Sequence, residues 1–345
     1  MAMPDVTIMG AGVFGLSLAL VCLQRGAQVQ VIEARGIGAG ASGGVVGALA
    51  PHVPEAWNAK KALQFEALCM AGDFWAVVQE SGGIDPGYAR LGRVQPVPEG
   101  GLALAQARAT SALDLWQGVA AWRVLPVDAA PGLGIVAPSG WVIHDTLTAR
   151  LHPRRAVAAL AAAVERLGGE VVIGAAEARG RVVWATGHEG LADLSRALGR
   201  AVGTGIKGQA VLLRHAAPGA AQIFADGLHI VPHDDGTVAV GSTSERDFDD
   251  GARTDDQCDA LLARARAVCP ALQDAPEIAR WAGVRPRAKS RAPLMGPWPG
   301  RDGEYVFNGG FKIGFAMAPL LAGRMADLVL DGHDTIPFEF GTSAL

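Results

Sequence analysis

The residues most suited to chemistry begin with three glycines, Gly10-Ala11-Gly12-Val13-Phe14-Gly15, spaced Gly-x-Gly-x-x-Gly. Such spacing serves a diphosphate. The first glycine makes a tight turn, the second lets backbone approach the phosphates, and the third lets helix pack on strand. The helix amino terminus then offers free N–H groups to the anion. Val6-Thr7-Ile8-Met9 reads as the strand before the turn, Gly15 to Arg25 as a buried helix ended by Gly26, and Gln28 to Ile32 as a second strand. Glu33 closes that strand 18 residues after Gly15, where a carboxylate can accept from ribose hydroxyls. In a chain with 46 glycines the spacing alone carries little weight. Between a strand and a helix it marks a dinucleotide site, with NAD and FAD both open.

Later segments separate the two. After Glu33, Ala34 and Arg35, the run Gly36 to Gly47, which includes Ala41 and Ser42, is small enough for backbone to follow an extended cofactor. Far downstream, Val182-Val183-Trp184-Ala185-Thr186-Gly187 is an apolar strand ending in a small turn. Together these resemble the FAD fold of the glutathione-reductase type, and in particular the D-amino acid oxidase family that includes glycine oxidase and sarcosine oxidase. The similarity runs along nearly the whole chain. Gly40 to Leu49, with Gly47, Ala48 and Leu49, is similar to the family segment that reaches the flavin. Ile206 to Gln209 resembles the start of its substrate-domain sheet, and Ile230-Val231-Pro232 with Val240 to Glu245 its central strands. Trp281 to Pro286, with Gly283, resembles its return segment, and Gly309-Gly310-Phe311-Lys312-Ile313-Gly314 its closing flavin loop.

The resemblance implies noncovalent FAD, since no cysteine follows Gly314 as it does in covalent-flavin members. It implies oxidation of a small amino acid or N-substituted amino acid, with hydride passing from the substrate Cα to flavin N5, an imine released to hydrolysis, and oxygen or another acceptor taking the electrons. Arg285, at the arginine of the Gly-x-Arg-Pro motif, is implied to hold the substrate carboxylate. A guanidinium pairs with a carboxylate through two charge-assisted bonds. Read without the family, it is one more arginine beside Arg287, Lys289 and Arg291. Lys312 either contacts the carboxylate, stabilises negative charge on reduced flavin or superoxide, or is a solvated loop lysine. His229 stands where relatives place a substrate-facing tyrosine. Strand alternation puts it on the same face as Val231, so it reaches the cleft only if Val231 faces that way too. His52, just past the flavin segment, is a fourth candidate. Departures from the family are Ala288 and Ser290 after the Arg-Pro motif, Gly310 where a histidine is common, and too few residues between Gly174 and Arg181 for the usual β-meander.

The elements that must position these groups form two interleaved domains. We expect an α/β Rossmann-type FAD domain from residues 1–85, 139–205 and 282–345, and an antiparallel-sheet substrate domain from 86–138 and 206–281. Helices are expected at Ala56 to Glu80, Leu102 to Trp116, His152 to Leu167, Asp255 to Val268 and Pro319 to Leu330. The amino terminus of the last helix, near Pro319, would lend positive charge to the ring. Half of the 345 residues are hydrophobic and the net charge is −4, which gives a globular core and no cationic surface for nucleic acid. The uncharged stretch Val6 to Leu23 is broken by glycines and reads as strand, turn and buried helix rather than a membrane span. Cys22, Cys69, Cys258 and Cys269 lack metal-ligand spacing and suit a reducing cytoplasm. Rival readings are a same-fold dehydrogenase, a tRNA carboxymethylaminomethyl-uridine demodifying enzyme, and a flavin-binding protein without catalysis.

Overall fold

The structure is a computed structural model and describes residues 3–345. The glycine turn joins β1 (Val6–Met9) to α1 (Val13–Gln24), and β2 (Val29–Glu33) follows, pairing parallel to β1 with Val6 opposite Val29. The uncharged stretch is therefore this strand and helix. Nine of the twelve α1 residues are buried, so its apolar character serves packing on every side. Among the described residues no helix is long and apolar enough to cross a membrane.

Two-residue β3 (Ala48–Leu49) leads to α2 (Ala59–Gly82). The expected start at Ala56 moves to Ala59 because the Asn58 side chain caps the helix, accepting from Lys61 N–H at 3.1 Å. Gly83 ends it in the left-handed conformation with φ 66°. Then come β4 (Arg93–Pro96), α3 (Leu102–Leu115), β5 (Trp122–Pro126), β6 (Trp141–Asp145), β7 (Ala149–Arg150) and α4 (Pro153–Arg166). The strands β8 (Glu170–Ile173) and β9 (Arg181–Trp184) fall where the sequence puts them, and α5 (Gly187–Ala197) opens on Gly187.

The next segment is mostly antiparallel: β10 (Gly203–Arg214), β11 (Gln222–Ala225), β12 (Leu228–Pro232) and β13 (Thr237–Gly241). After α6 (Gln257–Val268), β14 (Glu277–Ala288) returns along β10, Gly283 opposite Gly208. The chain closes with β15 (Leu294–Pro297), β16 (Glu304–Asn308) and α7 (Gly314–Asp331). Here the structure corrects the sequence reading. The last helix begins at Gly314, and Pro319 lies inside it, at the cost of one helical hydrogen bond. The helix amino terminus is thus part of the 309–314 loop itself.

Two sheets result. The six-stranded sheet has the order β15-β16-β9-β1-β2-β8, and the eight-stranded sheet the order β14-β10-β13-β12-β11-β4-β6-β5. Residues 141–145 and 282–288 belong to the larger sheet through β6 and β14. The main core lies where α1, α2, α4 and α7 pack on one another beside the smaller sheet.

Candidate functional site

One cavity of about 520 Å³ runs from the carboxyl ends of β1, β2 and β9 to the face of the larger sheet. The crevice at the carboxyl ends of parallel strands is where such folds place nucleotides. Gly10, Gly12, Val13 and Phe14 form its floor. Gly10 has φ +110°, and a Cβ there would lie 2.6 Å from the Ala185 carbonyl oxygen. Gly15 stands behind the wall, packed so closely that a Cβ would lie 2.0 Å from Gly10 O. Gly12 differs. A Cβ on Gly12 would meet only Ser42 Oγ, at 3.2 Å, so the space before it is open.

No side chain caps α1 at Gly12, and its first turn carries no acid. Ser42 Oγ accepts from Val13 N–H at 3.1 Å. The remaining amino-terminal charge of the helix faces the cavity floor. At the end of β2, Glu33 is fixed by two backbone donors: Ala11 N–H reaches Oε2 at 2.9 Å and Arg35 N–H reaches Oε1 at 3.0 Å. Glu33, Ala34 and Arg35 line this end, with Gly174, Ala175 and Ala176 across from them. The short connection after β8 therefore contributes bare backbone and methyl groups where a meander was missing.

The third wall comes from Ala185, Thr186 and Gly187, whose placement depends on Asn308, a residue the sequence reading passed over. Its Nδ2 donates to Gly187 O at 2.8 Å. Thr186 Oγ1 is buried with no hydrogen-bond partner. Such an atom calls for a polar ligand. Ala41, Ser42 and Ala48 also line the cavity, on a loop pinned by Arg154, whose Nε donates to Gly43 O at 2.9 Å.

At the opposite end β14 and the 309–314 loop meet. Phe311 N–H donates to Pro286 O at 3.0 Å, and Gly310 bridges Arg287. This fixes Arg285, Phe311 and Lys312 in one wall, with Gly310 and Gly314. Arg285 lies across Gly208, where any side chain would collide with its guanidinium. Its Nη1 donates to Ser242 Oγ at 2.6 Å, and its Nη2 to Thr243 O at 2.6 Å and Lys207 O at 3.3 Å. Arg285 Nε is buried without a partner. Burial pulls its pKa down to about 10, with Glu245 opposing the shift. Burial and the Arg285 charge also lower the pKa of Lys312. The Ser242, Thr243 and Gly208 contacts were invisible beforehand, because they depend on the register of β10 with β13 and β14.

His229 reaches the cavity, and Val231 on the same face packs against Val45 and Ala210. Desolvation, with Arg93 and Lys312 nearby, pushes the His229 pKa down to about 3, so the ring is neutral. Its Nδ1 is buried and has no partner. His52 does not join them: its ring Nδ1 pairs with Gln64 Oε1, and it is absent from the cavity wall. Gly47, Leu49, Gly283, Gly309 and Ile313 also stand behind the wall. Gly47 lies against the Leu151 carbonyl, Leu49 is fully buried, Gly283 lies under the Trp281 ring, Gly309 turns with φ +77°, and Ile313 caps α7.

These features fit FAD: an open helix terminus for the pyrophosphate, a fixed carboxylate for a ribose, an unpaired threonine hydroxyl, and cations at the far end. No metal-binding group of His, Cys, Asp and Glu occurs among the described residues, and none of the four cysteines lines the cavity.

Comparison with known proteins agrees. The chain is 35% identical to a glycine oxidase of Pseudomonas aeruginosa over 132 residues, 38% of this chain and 36% of that one. It is 27% identical to a glycine oxidase of Geobacillus kaustophilus over 94% of this chain and 92% of that one. Against the bifunctional ThiO/ThiG protein of a Nostoc species, the chain spans about half (53%) of the relative's length, at 28% identity. The fold matches the crystal structure of iminodiacetate oxidase from a Chelativorans species with a TM-score of 0.84 and 21% identity, covering 97% of this chain and 98% of that one. Residues 5–328 match the family described as FAD dependent oxidoreductase, and the chain belongs to that family.

Proposed function

We propose that this FAD-dependent oxidoreductase oxidises the amine of a small amino acid or N-substituted amino acid. The observation that carries the proposal is Arg285: a buried guanidinium in the cavity wall, held on one edge by Ser242, Thr243 and Lys207 while Nε keeps no partner. Likeness to the two glycine oxidases supports the same substrate class. In this reading Gly10, Gly12 and the first turn of α1 hold the pyrophosphate, Glu33 a ribose, and the 309–314 loop the flavin, without a covalent link. FAD, when bound, accepts the hydride from the carbon bearing the amine.

The chain's own residues position and desolvate. Arg285 orients the carboxylate and hence the Cα–H bond, and the amino terminus of α7 adds positive charge beside the ring site. Among the described residues, the acids in the wall are Glu33 and Glu189, both at the ribose end. His229 stays neutral, and its unpaired Nδ1 offers a hydrogen bond to substrate rather than a charge. With no carboxylate base at hand, the amine must react as the neutral form. We further propose that the FAD domain gathers around the six-stranded sheet and the substrate domain around the eight-stranded one. The free cysteines suit a cytoplasmic enzyme.

Anaerobic flavin bleaching with glycine, sarcosine, D-amino acids, proline analogues and simple amines tests this. Arg285→Ala is expected to lower kcat/KM for carboxylated amines about a hundredfold or more. Equal bleaching by amines lacking a carboxylate, or an unaffected Arg285→Ala variant, would overturn it.

A further inference from the structure

The flavin end of the cavity carries more positive charge than one carboxylate neutralises. Phe311 is ringed by three cations: Arg285 Cζ lies 5.7 Å from the ring centre, Arg287 Cζ 5.8 Å and Lys312 Nζ 5.7 Å. Arg285 and Lys312 line the cavity, and Arg287 stands just outside it. Among the described residues, neither Lys312 nor Arg287 has an ion-pair partner. Glu245, the nearest acid behind Arg285, lies 3.5 Å from Lys207. The two acids of the cavity wall are engaged at the ribose end, Glu33 by backbone donors and Glu189 by Arg35 at 3.2 Å.

Two like charges facing one cavity, buried Arg285 and solvent-reached Lys312, repel each other, and a ligand that neutralises both relieves that repulsion. We propose that the preferred substrate is an amine carrying two carboxylates, one held by Arg285 and the other by Lys312, with the Phe311 ring setting the distance between them. A monocarboxylate leaves one cation unpaired. Phe311 is suited to the spacer role. Its backbone sits at φ +43° and its N–H donates to Pro286 O, which anchors the residue to β14 between the two cations. His229 adds no charge and serves as a neutral neighbour. Arg287, outside, draws dianions to the entrance.

The inference rests on the amine-oxidation reading for turnover but not for binding, which allows the two to fail separately. The holoprotein is titrated with oxydiacetate and with methoxyacetate, which have an ether oxygen in place of the amine and cannot be oxidised there, and the visible flavin spectrum is followed. Oxydiacetate is expected to bind at least tenfold more tightly. Lys312→Met should bring the ratio of the two dissociation constants close to one, about a tenfold loss of discrimination, while Lys312→Arg retains it. Equal binding of the two acids by the wild type, or a ratio unchanged in Lys312→Met, overturns the proposal. In parallel, iminodiacetate and sarcosine are compared by anaerobic bleaching. Tight oxydiacetate binding with no bleaching by either amine supports the dianion site and refutes amine oxidation. Bleaching by sarcosine at an efficiency equal to iminodiacetate keeps amine oxidation and refutes the dianion preference.

Discussion

Replacing Gly12 and Gly15 by alanine, one at a time, separates what the glycine turn does for the cofactor from what it does for the fold. At Gly15 the new methyl would stand 2.0 Å from Gly10 O, whereas ordinary contact begins near 3.4 Å. Helix α1 must therefore retreat by about 1.4 Å, yet it is buried along most of its length and packed on α4 and α7. Overpacking against backbone of this kind costs about 3 kcal/mol, which lowers Tm by roughly 4 °C in a chain of this size. The loss should appear in apoprotein and holoprotein alike. At Gly12, φ −87° and ψ −179° suit alanine, and only Ser42 Oγ lies near, so the apoprotein should lose no more than about 1 kcal/mol. The methyl then occupies the approach of the pyrophosphate, and FAD affinity should fall about 10- to 100-fold. Differential scanning fluorimetry of the apo forms, with flavin fluorescence titration for affinity, measures both. A Gly12→Ala protein that binds FAD like the wild type, or apo forms of the two variants that melt together, would refute this division of labour.

Two other perturbations test the surroundings of the site. Asp145 is fully buried, receives Arg93 Nε at 2.8 Å and Thr148 N–H at 2.8 Å, and Asp145→Ala should cost about 3–5 kcal/mol in urea unfolding because it strands the Arg93 charge; an Arg93→Met, Asp145→Leu double variant should recover much of it. His229 and His233 have pKa values pushed from 6.5 down to about 3 and about 4 by burial, so below pH 6.5 the unfolded chain takes up protons the folded chain refuses. Their contribution to stability is complete above pH 6.5 and fades as pH falls toward 4, and the Tm drop between pH 7.5 and 5 should shrink in His229→Gln and His233→Gln.

Local order was readable where neighbours in sequence are neighbours in space. The turn at Gly10 to Gly15, the strands at Glu170 to Ile173 and Arg181 to Trp184, and the helix at Leu102 all follow from residues a few positions apart. Pro319 misled because a proline usually opens a helix, whereas Gly314 opens this one and the buried surroundings tolerate proline one turn later. The site was legible as to which segments meet, and less so as to how. Arg285, Lys312 and His229 share the cavity, but the groups that aim Arg285 come from the segment just after β13 and from β10. Those contacts depend on a pairing register that spans up to 78 positions. His52 looked equivalent to His229 in sequence; only the helix bearing Gln64 decides that its ring is occupied elsewhere.

The order of strands in the smaller sheet bears on how the protein is made. β1 sits between β2 and β9, and β9 needs β16, with Glu304 opposite Val182. During synthesis the glycine turn emerges well before Glu304 to Asn308, and β9 lacks its outer neighbour until that segment has left the ribosome, on the order of ten seconds or more at usual elongation rates. Throughout that interval β9 is a strand edge available to other chains. Emergence of β16, and of the loop behind it that closes on Phe14, sets the moment at which the nascent protein can retain its flavin.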